Sequence, residues 1–356
     1  MVERAPATAG ELQPSPRGEL MIASNHSGRA FTEKVVAAYR QLDPHSHHQY
    51  LEALDDRFSD TETVVQLAAD VNGNDVFLFQ SLYDPTSERS IDENYMAFLI
   101  AARAFREWGA NHVTAVLPYL AYARQDKPAP FTRQPTTAKL TADLALTAGI
   151  DRLVTWHPHL RQIHGFYGGT PVHVIDALGL FVDQFRRFEG RDDVVAVAPD
   201  AGASKFVTHF GRALDLPCAI GSKYRPRPEE AVVSEIIGDI TAHRIAIVLD
   251  DMISSGGTIE AVVRRIAAEG IEEVYVGASH NLCLPIAQRR LQILHDDYNL
   301  REVLVTNTIP QTDSFRDLPF LRIHDLSQTL AEVVYRIHYN RPVSDLYYRL
   351  DGEWQT

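Results

Sequence analysis

The chain has 356 residues, of which 45% are hydrophobic, enough to bury the cores of two domains. Lys and Arg number 34 against 47 Asp and Glu, and the formal charge of -13 argues against nucleic acid or an anionic membrane as a partner. The two cysteines, Cys218 and Cys283, cannot build a disulfide framework, and no apolar run reaches the roughly 20 residues that cross a bilayer. We therefore expect a cytoplasmic protein.

The first segment, residues 1–18, is rich in Pro, Ala and Gly and lacks a continuous apolar core. This composition is typical of a mobile leader and not of a secretory signal.

Short apolar runs rich in β-branched residues alternate with amphipathic helical stretches along the rest of the chain. This alternation predicts an α/β fold with mainly parallel, buried strands flanked by helices. The predicted strands are "DVFLFQS", "HVTAVLPY", "RLVTWHPH", "VVAVAPD", "RIAIVLDD", "EVYVGASH" and "EVLVTNT". Each ends in polar groups, and ligands of open α/β sheets bind at the carboxyl ends of strands, so we expect these ends to form clefts.

Four helices are predicted between these strands, and Gly109, Gly149 and Gly270 stand where helices should stop. A polar segment before "VVAVAPD" indicates a domain junction between residues 170 and 195. We divide the chain into an N-terminal domain (19–174), a C-terminal domain (175–320), and a C-terminal helix with a tail that packs back (321–356).

The stretch "VLDDMISSGGTIE" (residues 248–260) carries the clearest functional signal. A buried strand brings Asp250 and Asp251 to its end, and Gly256 and Gly257 allow a tight turn into a helix that should begin near Thr258. Backbone N–H groups and a helix N-terminus then point at one spot, which favours an anion.

The hydroxyls of Ser254, Ser255 and Thr258 add hydrogen-bond donors to this turn. The two carboxylates would repel a phosphate, so they suit sugar hydroxyls or Mg²⁺ instead. The combination predicts a sugar phosphate as ligand. The turn lacks the lysine of a Walker P-loop, and the same spacing also fits a capped strand-to-helix turn that binds nothing.

Several further motifs occur in an order similar to that of ribose-phosphate pyrophosphokinases. They are "RFSDTET", "PYLAYARQDK", "HPHLRQIHGFY", "VAPDAGASK", "SKYRPRP", "GASHNL" and "LVTNTIP". The resemblance covers nearly the whole chain after the leader. It implies two similar phosphoribosyltransferase-type domains, and transfer of diphosphate from ATP to the anomeric hydroxyl of ribose 5-phosphate, with Mg²⁺ as cofactor.

The resemblance also assigns roles to residues. Lys223 and Arg225 match catalytic cations on a mobile loop, and Asp250 and Asp251 match acids that hold the ribose hydroxyls. The residues that match the 5-phosphate loop are Ser254, Ser255, Gly256, Gly257 and Thr258. The residues that match ATP contacts are Phe58, Asp60, Glu62, Arg124, Gln125, Asp126 and His159. His159 and Asp200 match metal ligands.

In the family the segment of Phe58, Asp60 and Glu62 reaches a neighbouring subunit. The resemblance therefore implies a homo-oligomer, a dimer at least and a hexamer as the larger option.

The sequence departs from the common family pattern at several positions. The family's Asp-Leu-His becomes His157-Pro158-His159, and we expect the two histidines, at i and i+2, to lie on one face of a strand. This change is compatible with a softer metal or with an altered hydrogen bond near Mg²⁺. Thr61 replaces a Gly, Pro128 follows Lys127, and Ser254 replaces an Asp. The C-terminal regulatory segment is shortened to "LSQTLAEV", which argues against the usual control by phosphate or ADP.

Two other functions remain open from the sequence. A non-catalytic homologue that binds nucleotide or sugar phosphate would explain the departures, and a phosphoribosyltransferase would explain the phosphate loop but leave the ATP motifs unused.

Overall fold

The computed structural model describes residues 15–129, 131–227 and 230–346. A first sheet of six parallel strands, with its helices, forms what we call the N-lobe; its strand order is β2-β1-β5-β6-β7-β8. Its elements are β1 (Leu20–Ser24), α1 (Arg29–Leu42), β2 (His48–Leu51), β3 (Asp55–Arg57), β4 (Thr63–Val65), β5 (Asp75–Phe79), α2 (Ile91–Glu107), β6 (His112–Val116), α3 (Thr137–Ala148), β7 (Arg152–Trp156), β8 (Val172–Ile175) and α4 (Leu178–Phe185). Strands β3 and β4 pair with each other as a separate antiparallel hairpin.

A second sheet of seven strands, with its helices, forms the C-lobe, in the order β11-β10-β9-β12-β13-β14-β15. Only the pair β10 and β11 is antiparallel. Its elements are β9 (Val194–Ala198), α5 (Ser204–Leu214), β10 (Cys218–Arg227), β11 (Glu230–Ile237), β12 (Ile245–Ile253), α6 (Gly257–Ala268), β13 (Glu273–Asn281), α7 (Pro285–Tyr298), β14 (Leu300–Thr306), α8 (Asp313–Arg316), β15 (Leu321–His324) and α9 (Ser327–His338).

The α/β fold with parallel sheets flanked by helices is confirmed, and all seven predicted strands are strands. Strands β1, β5 and β9 are buried along their whole length, as expected where helices cover both faces of a parallel sheet. The four predicted helices are α2, α3, α5 and α6.

Local signals set the ends of two of these helices. Ser90 and Glu93 form a capping box at the start of α2, and Gly149 ends α3 in the left-handed conformation that glycine adopts without strain. These ends could be read from the sequence because their contacts lie within a few residues.

Two features of the C-lobe differ from the sequence analysis. The segment that contains Lys223 and Arg225 is predicted as a loop, but it lies on β10, which forms a hairpin with β11. Strand β15 belongs to the second sheet, although the division at residue 320 places its residues in the C-terminal segment.

One hydrophobic cluster joins the two lobes. It includes side chains from β1, α1, α4, α5, β9, β12 and α9. The C-terminal helix α9 lies against α1, where the rings of Tyr39 and Tyr335 are 6.4 Å apart. The lobes are therefore held together by a continuous apolar core as well as by polar contacts.

A buried polar contact ties the start of the described chain to its end. The Arg17 guanidinium donates to both carboxylate oxygens of Asp75, at 3.0 and 2.9 Å, and Nδ1 of His338 lies 2.9 Å from the same carboxylate. All three residues are buried. We call this group the Asp75 joint; a buried carboxylate is tolerated only when it is paired in this way.

Cys218 and Cys283 form no disulfide. Within the described residues, no helix combines the length and apolar character that crossing a membrane requires.

Candidate active site

A cleft of about 680 Å³ lies where the two lobes meet, at the carboxyl ends of their strands. The N-lobe contributes side chains that follow β6 and β7, and the C-lobe contributes those that follow β9 and β12. Of the predicted site residues, the cleft is lined by Arg124, His159, Asp200, Asp250, Asp251, Ser254, Ser255, Gly256, Gly257 and Thr258. The ends of β6, β7, β9 and β12 therefore converge on this cleft, whereas the polar groups that end β5, β13 and β14 are not among its lining residues.

The turn of residues 254–257, which we call the phosphate turn, connects β12 to α6. Gly256 adopts φ 75°, and a Cβ atom there would lie 3.3 Å from the Cα of Ala287. Glycine is thus required both by the backbone conformation and by the close approach of α7. Helix α6 begins at Gly257, and its first turn presents N–H groups that have no partner within the helix.

The phosphate turn is supported from outside by Arg290. Its Nη1 donates to the backbone carbonyl of Ser255 at 2.8 Å, and its Nε lies 2.8 Å from Glu260. Arg264 pairs with the same Glu260 without contacting the turn. Arg290 therefore binds the turn through a carbonyl group and occupies none of its backbone N–H groups.

The pKa values of Asp250 and Asp251, near the end of β12, are shifted in opposite directions. Partial burial and the adjacent charge of Asp251 raise the pKa of Asp250 well above its ordinary value. Burial also acts to raise the pKa of Asp251, but the hydrogen bond and charge of His159 outweigh it and hold that pKa at about 2. Asp251 is therefore the anion of the pair, and Asp250 the more easily protonated group.

His159 makes a direct contact between the lobes. Its Nδ1 lies 2.7 Å from Oδ2 of Asp251, and this hydrogen bond raises the pKa of His159. Two residues earlier, His157 faces a different partner: its Nδ1 lies 2.6 Å from Oγ of Ser279.

The expectation that His157 and His159 share one face of a strand is wrong. Strand β7 ends at Trp156, and His157 adopts φ 36°, so the chain turns there and the two histidines bind different partners. We call residues 157–160 the histidine turn. The sequence could not show what the two side chains bind, because their partners Ser279 and Asp251 lie in the other lobe.

Asp200 follows β9, and its Oδ1 accepts the backbone N–H of Gly202 at 2.9 Å. Within residues 15–129, 131–227 and 230–346 no group of three or more His, Cys, Asp or Glu side chains could hold a metal ion. The donors that line the cleft include the hard carboxylates of Asp200 and Asp250, which suit Mg²⁺ if phosphate and water complete its shell. They do not form a cage for a softer metal.

The three predicted ATP residues on the "ARQD" segment have different surroundings. Arg124 lines the cleft, and its Nη1 lies 3.5 Å from Oγ of Ser254. Gln125 instead accepts a hydrogen bond from Thr137 at 2.7 Å, at the start of α3. Asp126 lies close enough to His159 to contribute to its raised pKa.

The predicted adenine segment lies away from the cleft of its own chain. Phe58, Asp60 and Glu62 occupy the turn of the hairpin between β3 and β4, and the Phe58 side chain is 56% exposed. None of the described residues that line the cleft comes from this hairpin. Glu62 and Asp60 are linked within the turn, where Oδ1 of Asp60 accepts the N–H of Glu62.

Lys223 and Arg225 lie on the outer part of β10, where Lys223 is paired with Val233 of β11. Their side chains lie outside the described part of the chain.

Three cations on the cleft wall can meet phosphate groups, and the sequence analysis assigned a role only to Arg124. The other two are Arg161, which forms an ion pair with Asp176, and Lys205 on α5. Both belong to the quoted motifs "HPHLRQIHGFY" and "VAPDAGASK", so the motifs themselves were the available signal.

Comparisons with known proteins agree with this geometry. A family model described as the N-terminal domain of ribose phosphate pyrophosphokinase matches residues 20–149, and one described as a phosphoribosyl synthetase-associated domain matches residues 195–348. The ribose-phosphate pyrophosphokinase of Clostridium acetobutylicum is 36% identical over 292 residues, which are 82% of this chain and 88% of that protein. The enzyme of Buchnera aphidicola subsp. Schizaphis graminum is also 36% identical, over 82% of this chain and 89% of its own length.

A solved structure is similar as well. The crystal structure of phosphoribosylpyrophosphate synthetase from Mycobacterium smegmatis superposes with a TM-score of 0.77 at 29% identity, and the match covers 90% of this chain and 99% of that one.

Proposed function

This chain belongs to the ribose-phosphate pyrophosphokinase family and forms 5-phosphoribosyl 1-diphosphate, and we propose that the cleft between its lobes is where the reaction occurs. The substrates are ATP and ribose 5-phosphate. The anomeric hydroxyl attacks the β-phosphorus of ATP, the bond between the α- and β-phosphates breaks, and AMP leaves. The observation that carries the proposal is that the phosphate turn, four aspartates and three cations line one cleft.

Ribose 5-phosphate is assigned to the C-lobe side of the cleft. Its phosphate would accept hydrogen bonds from the backbone N–H groups of residues 254–258, with hydroxyl donors from Ser254, Ser255 and Thr258. The carboxylates of Asp250 and Asp251 would accept from the 2- and 3-hydroxyls. Since Asp251 is already held by His159, the sugar would be placed directly beside the N-lobe.

The ATP phosphates are assigned to the space between Arg124, His159 and Lys205, which line the cleft. Gln125 and Asp126 are assigned to ATP because they follow Arg124 in the same motif. Arg124 offers a planar set of donors to phosphate oxygens. Lys223 and Arg225 are assigned to the migrating diphosphoryl group, because such transfers depend mainly on positioning and charge neutralisation.

Mg²⁺ is the proposed cofactor. Asp200 and His159 are the residues that would hold it, with phosphate oxygens and water as the remaining ligands. When bound, the ion would supply neutralisation of the phosphate charge. The support for this assignment is the hard oxygen donors on the cleft wall and the resemblance of these two positions to metal ligands.

A homo-oligomer, a dimer at least, is proposed from the hairpin of Phe58. An exposed aromatic ring at the tip of a hairpin, outside its own cleft, suits a contact with the adenine of a neighbouring subunit. The two free cysteines suit a reducing compartment, and we assign the protein to the cytoplasm.

The proposal is tested by following AMP formation from ATP and Mg²⁺, with and without ribose 5-phosphate. We expect AMP only with the sugar, together with 5-phosphoribosyl 1-diphosphate; AMP without the sugar, or none at all from folded protein, would contradict it. Lys223→Ala is expected to lower kcat far more than ribose 5-phosphate binding, since its charge acts on the migrating group. An equal loss of both would argue against that role.

A further inference from the structure

The histidine turn is held by the C-lobe at two of its residues. His159 contacts Asp251 on β12, and His157 contacts Ser279 on β13. The His157 ring also lies against Phe206 of α5, with centroids 4.6 Å apart. The His157 side chain thus has a polar contact with one C-lobe element and a ring contact with another. These two contacts leave the turn little freedom.

His280 holds the backbone of the same turn. Its Nε2 lies 3.2 Å from the carbonyl oxygen of His157, which can only accept, so Nε2 carries the proton and donates. Its Nδ1 is then free to accept from the hydroxyl of Thr308, 2.8 Å away. His280 is buried, and burial lowers its pKa to about 4, consistent with a neutral ring.

The two partner strands share one hydrogen-bonded ladder. Asp250 pairs with Ala278 and Met252 with His280, so Asp251 lies opposite Ser279. The backbone carbonyl of Ser279 in turn accepts from Thr306 of β14 at 2.6 Å. Ser279 and Asp251, the hydrogen-bond partners of His157 and His159, therefore lie side by side on two paired strands of the sheet.

We propose that His157 is a positioning residue for the diphosphate transfer. Its hydrogen bond to Ser279, and the hydrogen bond from His280 to the backbone carbonyl of His157, fix the histidine turn. The turn then places His159 against Asp251 in the cleft. The proposal rests on the proposed function of that cleft. It explains how an imidazole can stand at this position without acting on the substrate. It also predicts that removing Ser279, which is fully buried, changes catalysis.

The test uses Ser279→Ala, His157→Ala, the double variant and His157→Asn in the full chain. Asn keeps a polar group near the position of Nδ1 and tolerates positive φ, so it should restore the contact. His295→Asn is the matched control. His295 also makes one Nδ1 hydrogen bond, to Leu300 at 2.7 Å, and one ring contact, to Phe320 at 4.5 Å, but it lies on α7 and does not line the cleft.

We expect Ser279→Ala and His157→Ala each to lower kcat by about tenfold, with KM for ribose 5-phosphate changed by less than about twofold, because a shift of a fraction of an ångström affects the transfer more than the binding. The double variant should be no worse than either single variant, since the two side chains form one contact. His157→Asn should recover most of kcat, and His295→Asn should keep the wild-type constants.

A second measurement does not need turnover. In ligand-free protein with ¹⁵N-labelled histidine, Ser279→Ala should move the imidazole signals of both His157 and His159, each assigned by its own Gln variant. His295→Asn should move neither. If wild-type protein forms no AMP, the proposed function fails, while these signals still test the positioning.

Three results would overturn the inference. A Ser279→Ala variant with wild-type kcat, beside an inactive His157→Asn, would mean that the imidazole acts on the substrate itself. Equal losses of kcat in Ser279→Ala and His295→Asn would mean that the contact between His157 and Ser279 contributes only to the stability of the protein. An unchanged His159 signal in Ser279→Ala would show that His157 does not place His159.

Discussion

The phosphate turn and the histidine turn meet in one cleft but are held in opposite ways. The phosphate turn takes its shape from its own residues and from α7, since Gly256 has φ 75° and packs against Ala287. The histidine turn has a backbone hydrogen bond to Ile175 in its own lobe, but its two imidazoles are held by the other lobe, through Ser279 and Asp251. A turn held by nearby residues acts as a binding platform in a single lobe, whereas a turn held across lobes depends on how the lobes are joined.

The largest expected effect is on the free energy of unfolding. It distinguishes residues that join the two lobes from residues that hold the two turns of the cleft. Asp75→Asn removes the buried charge that Arg17 and His338 share, and breaking such a pair costs about 3 to 5 kcal/mol of unfolding free energy. Because the Asp75 joint lies at the first residue of β5, away from the carboxyl ends, we expect kcat of the folded variant to stay near wild type.

Denaturant unfolding measures this change, and Asp183→Asn is its control. Asp183 pairs with Arg186, and its side chain is 65% exposed, so its loss should cost less than about 0.5 kcal/mol. A large loss of kcat in folded Asp75→Asn would show that the joint also sets the cleft.

The next effect tests the local design of the phosphate turn. Gly256→Ala places a side chain at positive φ and against Ala287, so KM for ribose 5-phosphate should rise by about tenfold or more, as expected for a misplaced anion site. Gly270→Ala is the matched control, with φ 106° but no atom within 4 Å of the new Cβ. Both variants should lose about 1 kcal/mol of stability from backbone strain, but only Gly256→Ala should change KM. A KM change in both would trace the effect to α6 as a whole.

A smaller effect tests the outer support of the same turn. Arg290→Met removes the donor to the Ser255 carbonyl, and KM for ribose 5-phosphate should rise about threefold, the value of one supporting hydrogen bond. Arg264→Met is the comparison, because Arg264 shares Glu260 but does not reach the turn. If steady-state kinetics give the same KM for ribose 5-phosphate in both variants, the turn is supported by Glu260 and not by Arg290.

The smallest effect concerns the contact of α9 with the rest of the chain. Burial acts to raise the pKa of Asp325, but hydrogen bonds from Ser327 and the charge of Lys34 hold it at about 2, below its ordinary 3.8. A depressed pKa means that this stabilisation is present above about pH 4 and is lost as the pH falls towards 2. The side chain is 44% exposed, so we expect no more than about 1 kcal/mol.

Unfolding of Asp325→Asn and wild type at several pH values measures that loss. The difference between them should be largest above about pH 5 and should disappear near pH 2. Lys34→Met keeps the Ser327 hydrogen bonds and should remove only part of this stabilisation. A difference between Asp325→Asn and wild type that does not change with pH would exclude ionisation of Asp325 as its cause.

Much of the fold followed from local patterns. The buried apolar runs identified seven strands correctly, and the capping box at Ser90 and the glycine at 149 marked helix ends, because burial and capping depend on residues close in the chain. Helices α1 and α4 were missed although their apolar residues recur with helical spacing. The hairpin of β10 and β11 was taken for a loop, because the identity of such strands depends on the strands with which they pair.

The candidate site likewise has some features that depend on nearby residues and others that depend on distant ones. Asp250, Asp251 and the glycines of the phosphate turn could be assigned from the sequence by itself, because a strand end, a tight turn and a helix N-terminus are written in consecutive residues. The sequence could not decide where β7 ends, which way His157 and His159 point, or that Arg161 and Lys205 share their cleft. Those features depend on contacts between residues far apart in the chain, such as His159 with Asp251, which are 92 positions apart, and only tertiary packing creates them.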